Sequence, residues 1–371
     1  MRIRASAPAQ ATVRPVRDLY LLDPEWTHLN HGSFGACPRP VLDQYQRLQR
    51  ELERGPTEFW RGLPDLLAEA RSELAAFVGA DSEGLLFVPN VTAGVNAVAR
   101  SLELGPGDEV LATDHEYGAN DMVWAYLAER RGFEYVRRPF DSLEDFWAGV
   151  GERTRILFVS HIASETARCF PVADLCARAR ASGVVSIVDG AHVPGHLDLD
   201  LQEIAADFYT GNCHKWLSAP KGTGFVHVAE PRRDLLEPQI VSWGWEESET
   251  FVERHQSQGT RDPSGYLSVP AAIAFQREHD WPAVRDRCNA LLRASVERLG
   301  LVPVHPDFVQ MVALELPECD PDELWRRLRE EHRVEAPCWT WNDKPLLRIS
   351  VAAYNDEGDL RRLEAALQEV L

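Results

Sequence analysis

Asp207-Phe208-Tyr209-Thr210-Gly211-Asn212-Cys213-His214-Lys215-Trp216-Leu217-Ser218-Ala219-Pro220-Lys221-Gly222-Thr223-Gly224-Phe225 sets a lysine, Lys215, in a polar turn between two strand-like runs. Phe208 to Thr210 reads as one strand, and Gly224 to Val228 as the next, after a Pro-Lys-Gly turn. A lysine at a strand end, beside Asn212, His214 and small residues, is open to desolvation. That lowers its pKa and frees its lone pair for a Schiff base. A solvated surface lysine is the plain alternative.

The stretch just upstream narrows the choice. Gly183-Val184-Val185-Ser186-Ile187-Val188-Asp189-Gly190-Ala191-His192 reads as a buried strand ending in Asp, Gly and His. Such an apolar run suits a parallel sheet covered on both faces. Asp189 stands at its C-terminal end, where open α/β sheets bind ligands. A carboxylate followed by a lysine is what a pyridoxal phosphate site needs: the acid keeps the ring nitrogen protonated, and the amine carries the aldehyde. Further upstream, the strand Leu85 to Val88 runs into Pro89-Asn90-Val91-Thr92-Ala93-Gly94-Val95-Asn96 and a helix to Leu102. Free N–H groups and the helix dipole make such a helix start an anion site. The Val91 N–H and Thr92 would hold the cofactor phosphate there. Thr92 or Asn90 as a simple N-cap is the other reading.

These stretches stand in order with Leu29-Asn30-His31-Gly32-Ser33-Phe34-Gly35, His115-Glu116-Tyr117-Gly118-Ala119, Gly259-Thr260-Arg261-Asp262-Pro263, Arg348-Ile349-Ser350 and Tyr354-Asn355. Together they resemble the class V aminotransferase family of fold-type I pyridoxal-phosphate enzymes and, more narrowly, its isopenicillin N epimerase-like branch. The motifs are specific for fold and cofactor and much less so for the reaction. The resemblance implies an α/β fold. A large, mostly parallel-sheet domain with helices on both faces is expected over 21–265, with a smaller α+β domain over 266–371. The first part of the large domain would supply an active-site loop and pack on the small domain. Residues 1–20 are expected to form a disordered tail.

The resemblance also distributes roles. Lys215 and Asp189 are catalytic. Tyr117 stacks on the pyridine ring, where offset stacking would hold it flat, and is the candidate second acid. His161 stands where related desulfurases place an asparagine facing the phenolic oxygen, and a ring N–H could serve that oxygen. His192 donates to the same oxygen, while Asn212 and His214 face the phosphate. Asn30 and Ser33 lie on the substrate side. Gly259 and Thr260 reach the phosphate of a neighbouring subunit, which implies a homodimer with shared sites. Arg348 lies in an apolar strand, where an arginine is costly unless paired. In the family it grips the substrate α-carboxylate, a task that suits its fork. A buried structural ion pair is the alternative.

Lys215 is placed to remove the Cα proton of an amino acid, and the next step sets the reaction. An epimerase or racemase is the first expectation. A C–S lyase, a cysteine desulfurase and an aminotransferase are the alternatives. A desulfurase needs a nucleophilic thiol on a mobile loop. Cys338 lies in the right region, but Pro337 and Trp339-Thr340-Trp341 flank it, as suits a small buried hydrophobe. A catalytically silent binding protein of the same fold is the non-enzyme alternative, and the presence of Lys215, Asp189 and Arg348 argues against it. Trp243 to Glu249, with two tryptophans and three acids, either lines a substrate entrance or packs at a subunit contact.

Composition sets outer limits. The chain has 371 residues, enough for a large domain and a smaller one, with 44% hydrophobic and 26% charged residues. A formal net charge of −19 argues against nucleic acid or an anionic membrane as partner. The 7 cysteines are scattered without a CxxC. This favours reduced thiols and a cytoplasmic setting over a disulfide framework or a metal site. No apolar run reaches transmembrane length.

Overall fold

Seven short strands build the central sheet in the computed structural model, which describes residues 16–247 and 250–371. In chain order they are β1 (Leu85–Val88), β2 (Glu109–Thr113), β3 (Glu134–Arg138), β4 (Thr154–Ser160), β5 (Val185–Gly190), β6 (Phe208–Asn212) and β7 (Gly224–Val228). Their order across the sheet is β1-β7-β6-β5-β4-β2-β3. The pairs β6–β5, β5–β4, β4–β2 and β2–β3 are parallel. Only β7 runs against its neighbours.

Strand alternation sends side chains to two separate cores. Ile156, Phe158, Ile187 and Phe208 face the helices Val91–Ser101 and Gly118–Arg131, which offer Val95, Val98, Trp124 and Leu127. Leu157, Val159, Val188 and Tyr209 face the other way, toward Leu48, Leu74, Leu175 and Ile273 of the opposite helices. Both faces are covered, so the strands read as continuous apolar runs. Gly190 is required by this packing: a Cβ there would overlap the Tyr209 hydroxyl. The edge strand β3 has the sequence Glu-Tyr-Val-Arg-Arg and no buried residue. It carries no apolar signal by which the sequence marks it as a strand.

A second sheet of four antiparallel strands takes the order Cys338–Trp341, Lys344–Ser350, Met311–Glu315, Val302–Pro303. The helices Trp281–Leu299, Pro321–His332 and Glu357–Val370 belong to this C-terminal region. Thr27–His28 pairs in parallel with Val334–Glu335, and Asn30 bridges to Ser350, so the N-terminal segment is tied to the C-terminal sheet. Val269–Glu278 still rests on Arg39–Arg54 and Pro56–Phe77 of the larger part.

One expectation needs correction. Of the tail expected over 1–20, residues 1–15 lie outside the described residues, and Val16–Leu19 forms a docked turn. Its Arg17 reaches Asp356 at 2.8 Å and the buried Asp359 at 2.9 Å, while Tyr20 enters the core. Cys338, read as a small buried hydrophobe, sits on a strand and not on a mobile loop. It pairs with Leu347, is buried, and its thiol pKa is pushed far up by desolvation. Among the described residues, no helix is long and apolar enough to cross a membrane.

Candidate active site

The C-terminal ends of β4, β5 and β6, the start of helix Val91–Ser101 and the loop carrying Lys215 enclose a cavity of about 370 Å³. Of the residues expected at the site, Ser33, Val91, Thr92, Tyr117, Asp189, His192, Asn212, His214 and Lys215 line it. Arg348 and Asn30 stand behind this wall. His161 and Thr260 do not take part in the lining.

Lys215 is the centre. Burial lowers its amine pKa to about 8, with Asp189 opposing and Arg348 reinforcing that shift. Its Nζ lies 3.0 Å from His192 Nε2. Asp189 is 3% exposed. Its Oδ1 accepts from the Ala191 N–H at 2.8 Å and its Oδ2 from Asn120 Nδ2 at 2.6 Å. Burial raises its carboxyl pKa, and no basic side chain of the described residues pairs with it. A buried carboxylate without a cation is costly, and a protonated heterocyclic nitrogen would relieve it.

The anion end differs in detail from the expectation. The Val91 N–H is already committed to Asn212 Oδ1 at 3.0 Å, and the Ala93 N–H to Asn90 Oδ1 at 2.8 Å. Asn90 is thus the N-cap. Thr92 keeps its own N–H and hydroxyl for an anion, and Asn212, fixed by Val91, keeps its amide N–H groups. His214 Nδ1 donates to the Thr223 carbonyl at 2.7 Å, which leaves Nε2 for the cavity. Burial lowers the His214 pKa to about 4, and a bound phosphate would oppose that.

Arg348, 2% exposed, is held by neutral oxygens. Nη1 donates to the Ser164 carbonyl at 2.6 Å and to its hydroxyl at 3.1 Å. Nη2 donates to Asn30 Oδ1 at 3.3 Å and to Ser33 Oγ. Its guanidinium lies over Trp339, 5.1 Å from the ring centre. No carboxylate among the described residues pairs with it, so the structural ion pair is not found. Burial lowers its pKa to about 10, against the influence of Glu165. Such a cation, next to two serines of the cavity wall, suits a substrate carboxylate.

His161 is the clear correction. It follows Ser160 at the end of β4, so its ring turns to the opposite face and meets Tyr209 Oη at 3.0 Å. Ser160, Ile162 and Ser164 line the cavity instead. Gly259 and Thr260 are exposed, away from the cavity of their own chain. Tyr117 is 43% exposed at the start of helix Gly118–Arg131. In the tryptophan-acid stretch, Gly244–Glu247 makes one helical turn, Trp243 is 80% exposed, and residues 248–249 lie outside the described residues.

Several groups had no role in the sequence reading. Asn120, one residue beyond the His115–Ala119 motif, holds Asp189. Glu116 accepts from Thr113 Oγ1 and Ser160 Oγ, each at 2.6 Å, and burial raises its pKa to about 8. Glu165 is driven up to about 7 by burial, and its Oε2 lacks a partner. The unusual sign, acids inside an apolar wall, becomes visible only once the wall is built.

The family description aminotransferase class-V matches residues 37–363. The isopenicillin N epimerase of Amycolatopsis lactamdurans is 39% identical, covering 95% of this chain and 97% of the relative. That of Streptomyces clavuligerus is 39% identical, over 97% and 98%. Among solved structures, a variant of C-DES with glycine covalently linked to its PLP cofactor superposes with a TM-score of 0.85 at 23% identity, covering 96% of this chain and all of that one.

Proposed function

The chain belongs to the aminotransferase class-V family, and on that premise we propose that it is an epimerase acting at the α-carbon of an amino acid or an amino-acid-containing substrate. Pyridoxal phosphate is its cofactor. The observation that carries the reading is the conjunction of the buried Lys215, Asp189 with no ion-pair partner and the acid-free Arg348 around one cavity. When bound, the cofactor withdraws electrons from the Cα–H bond.

The protein's own groups do the rest. Asp189 holds a proton at the ring nitrogen. The start of helix Val91–Ser101, through Thr92, with Asn212 and His214 beside it, takes the phosphate. Arg348 orients the α-carboxylate, and Asn30, Ser33 and Ser164 keep its fork aimed. The neutral Lys215 amine accepts the Cα proton. Epimerisation needs a proton returned from the other side, and Tyr117 is the group assigned to it. The substrates named for the two relatives make isopenicillin N the first compound to test. The protein acts as a homodimer, with Gly259 and Thr260 of one copy completing the phosphate site of the other.

The test is incubation with isopenicillin N and a panel of L-amino acids in heavy water. Expected are label at Cα and accumulation of the inverted isomer, both lost in Lys215→Ala. Pyruvate or released sulfur would replace the epimerase with a lyase, and keto acid with an aminotransferase. A protein that takes up no pyridoxal phosphate and exchanges no label overturns the enzyme reading.

A further inference from the structure

Behind Lys215 lies a chain of hydrogen bonds whose direction can be worked out. Trp216 Nε1 donates to His192 Nδ1 at 3.3 Å. An indole nitrogen is a donor only, and a neutral imidazole has one N–H. His192 Nδ1 must therefore accept, and the single proton of His192 sits on Nε2, 3.0 Å from Lys215 Nζ. His192 and Trp216 are 1% and 2% exposed, so bulk water offers no alternative partner.

We infer that Trp216 is a positioning residue that locks His192 in its Nε2–H tautomer, so that His192 faces the reacting amine as a hydrogen-bond donor and never as a base. A donor at Nε2 favours the lone-pair form of Lys215. The opposite arrangement, an ammonium donating to Nε2, would require a proton on Nδ1, directed at the Trp216 N–H. A charged imidazolium meets the same obstacle. Burial above all, and then Lys215 from the loop after β6, Arg348 from the C-terminal sheet, His196 from its own loop and His31 from the N-terminal segment, disfavour protonation of His192.

The indole cannot swing away. His196 stacks on it, with ring centres 4.0 Å apart and planes 20° from parallel. His196 is itself fixed in one tautomer, since its Nε2 accepts from the Gln310 N–H at 3.1 Å and its Nδ1 donates to the His192 carbonyl at 3.0 Å. The Trp216 carbonyl accepts from Gln276 Nε2 at 2.9 Å. Gly195, at φ +84°, lets the chain pass: a Cβ there would lie 2.6 Å from the Trp216 carbonyl oxygen.

The inference rests on the pyridoxal phosphate reading of Lys215, but its first test does not. Cofactor-free protein carrying 15N-histidine is examined by NMR, with His192 assigned by its loss in His192→Gln. Wild-type His192 is expected to show a bare Nδ1 and a protonated Nε2. A protonated Nδ1 overturns the inference without any variant of Trp216. The second test follows capture of pyridoxal phosphate against pH, in which the neutral amine condenses with the aldehyde and one water leaves. Lys215 also faces Asp189, Arg348 and Glu165, and none of these is altered. Trp216→Phe keeps the ring but removes the N–H. It should raise the pH midpoint of capture by about one unit and let Nδ1 become protonated. In a His192→Gln background, where an amide donor needs no tautomer, Trp216→Phe should move the midpoint no further. An equal shift in both backgrounds would make Trp216 a packing residue and overturn the inference. Failure of wild type to capture pyridoxal phosphate would remove the cofactor reading and leave the NMR result standing.

Discussion

Lys215 makes the clearest case at the scale of one residue, because its two properties, reactivity and cost, have one cause. Burial lowers its pKa from 10.5 to about 8. Between those values the unfolded chain holds a proton that the folded chain does not. The stability of cofactor-free protein therefore rises from pH 8 toward pH 10.5, and below pH 8 this group contributes a constant penalty of roughly 3 kcal/mol. Lys215→Met, of similar volume and without charge, should be more stable than wild type by about that amount at pH 7, the gap closing toward pH 10.5. Urea unfolding of both proteins across that range measures it, and parallel curves would mean that Lys215 titrates normally. That a reactive lysine stood here was legible from its turn between two strands and from Asp189 upstream. What the sequence could not carry was which way neighbouring rings face. His161 and Ser160 are adjacent, and only the pleat decides that Ser160 enters the cavity while His161 meets Tyr209.

At the scale of the strand pair, the same pleat governs stability. Gly190 sits opposite Gly211 in the β5–β6 ladder, and Tyr209 fills the space a side chain would need. Gly190→Ala should destabilise the protein by about 1–3 kcal/mol or more, as overpacking does. In a Tyr209→Leu background the same change should cost less, and the coupling between the two is the quantity to measure by denaturant titration. Purely additive costs would show that the strain lies elsewhere. The strands that carry the site, β1, β2, β4, β5, β6 and β7, were all legible, because each is buried along nearly its whole length and carries an apolar stretch. The strand β3 was not, because an exposed edge needs no apolar residue. The strand Cys338–Trp341 was hidden by the turn signals around it, although its antiparallel pairing with Lys344–Ser350 removes Cys338 from any mobile loop.

For the whole molecule, the question is whether one chain completes a site. Its phosphate end offers neutral donors and a helix dipole: Thr92, Asn212 and His214, with Lys215 occupied at the other end. Gly259, at φ +84°, and Thr260 are exposed and do not line the cavity of their own chain. In the proposed homodimer a two-fold axis sets each pair at the other's cavity, and such an interface is reciprocal. The expected mass in solution is then twice the 41.8 kDa of one chain. Complementation tests the stronger claim. Lys215→Ala leaves no reactive amine, and Thr260→Asp sets a negative charge against the phosphate. Each variant alone should exchange little Cα label. Mixed in equal amounts and allowed to re-associate, half of the dimers are hybrids. Each hybrid joins the intact Lys215 of one chain to the intact Thr260 of the other in one of its two sites. Activity should therefore recover to about a quarter of wild type. No recovery in mixtures shown by mass to contain hybrids would place Thr260 outside the neighbouring site and leave each chain to hold its phosphate alone.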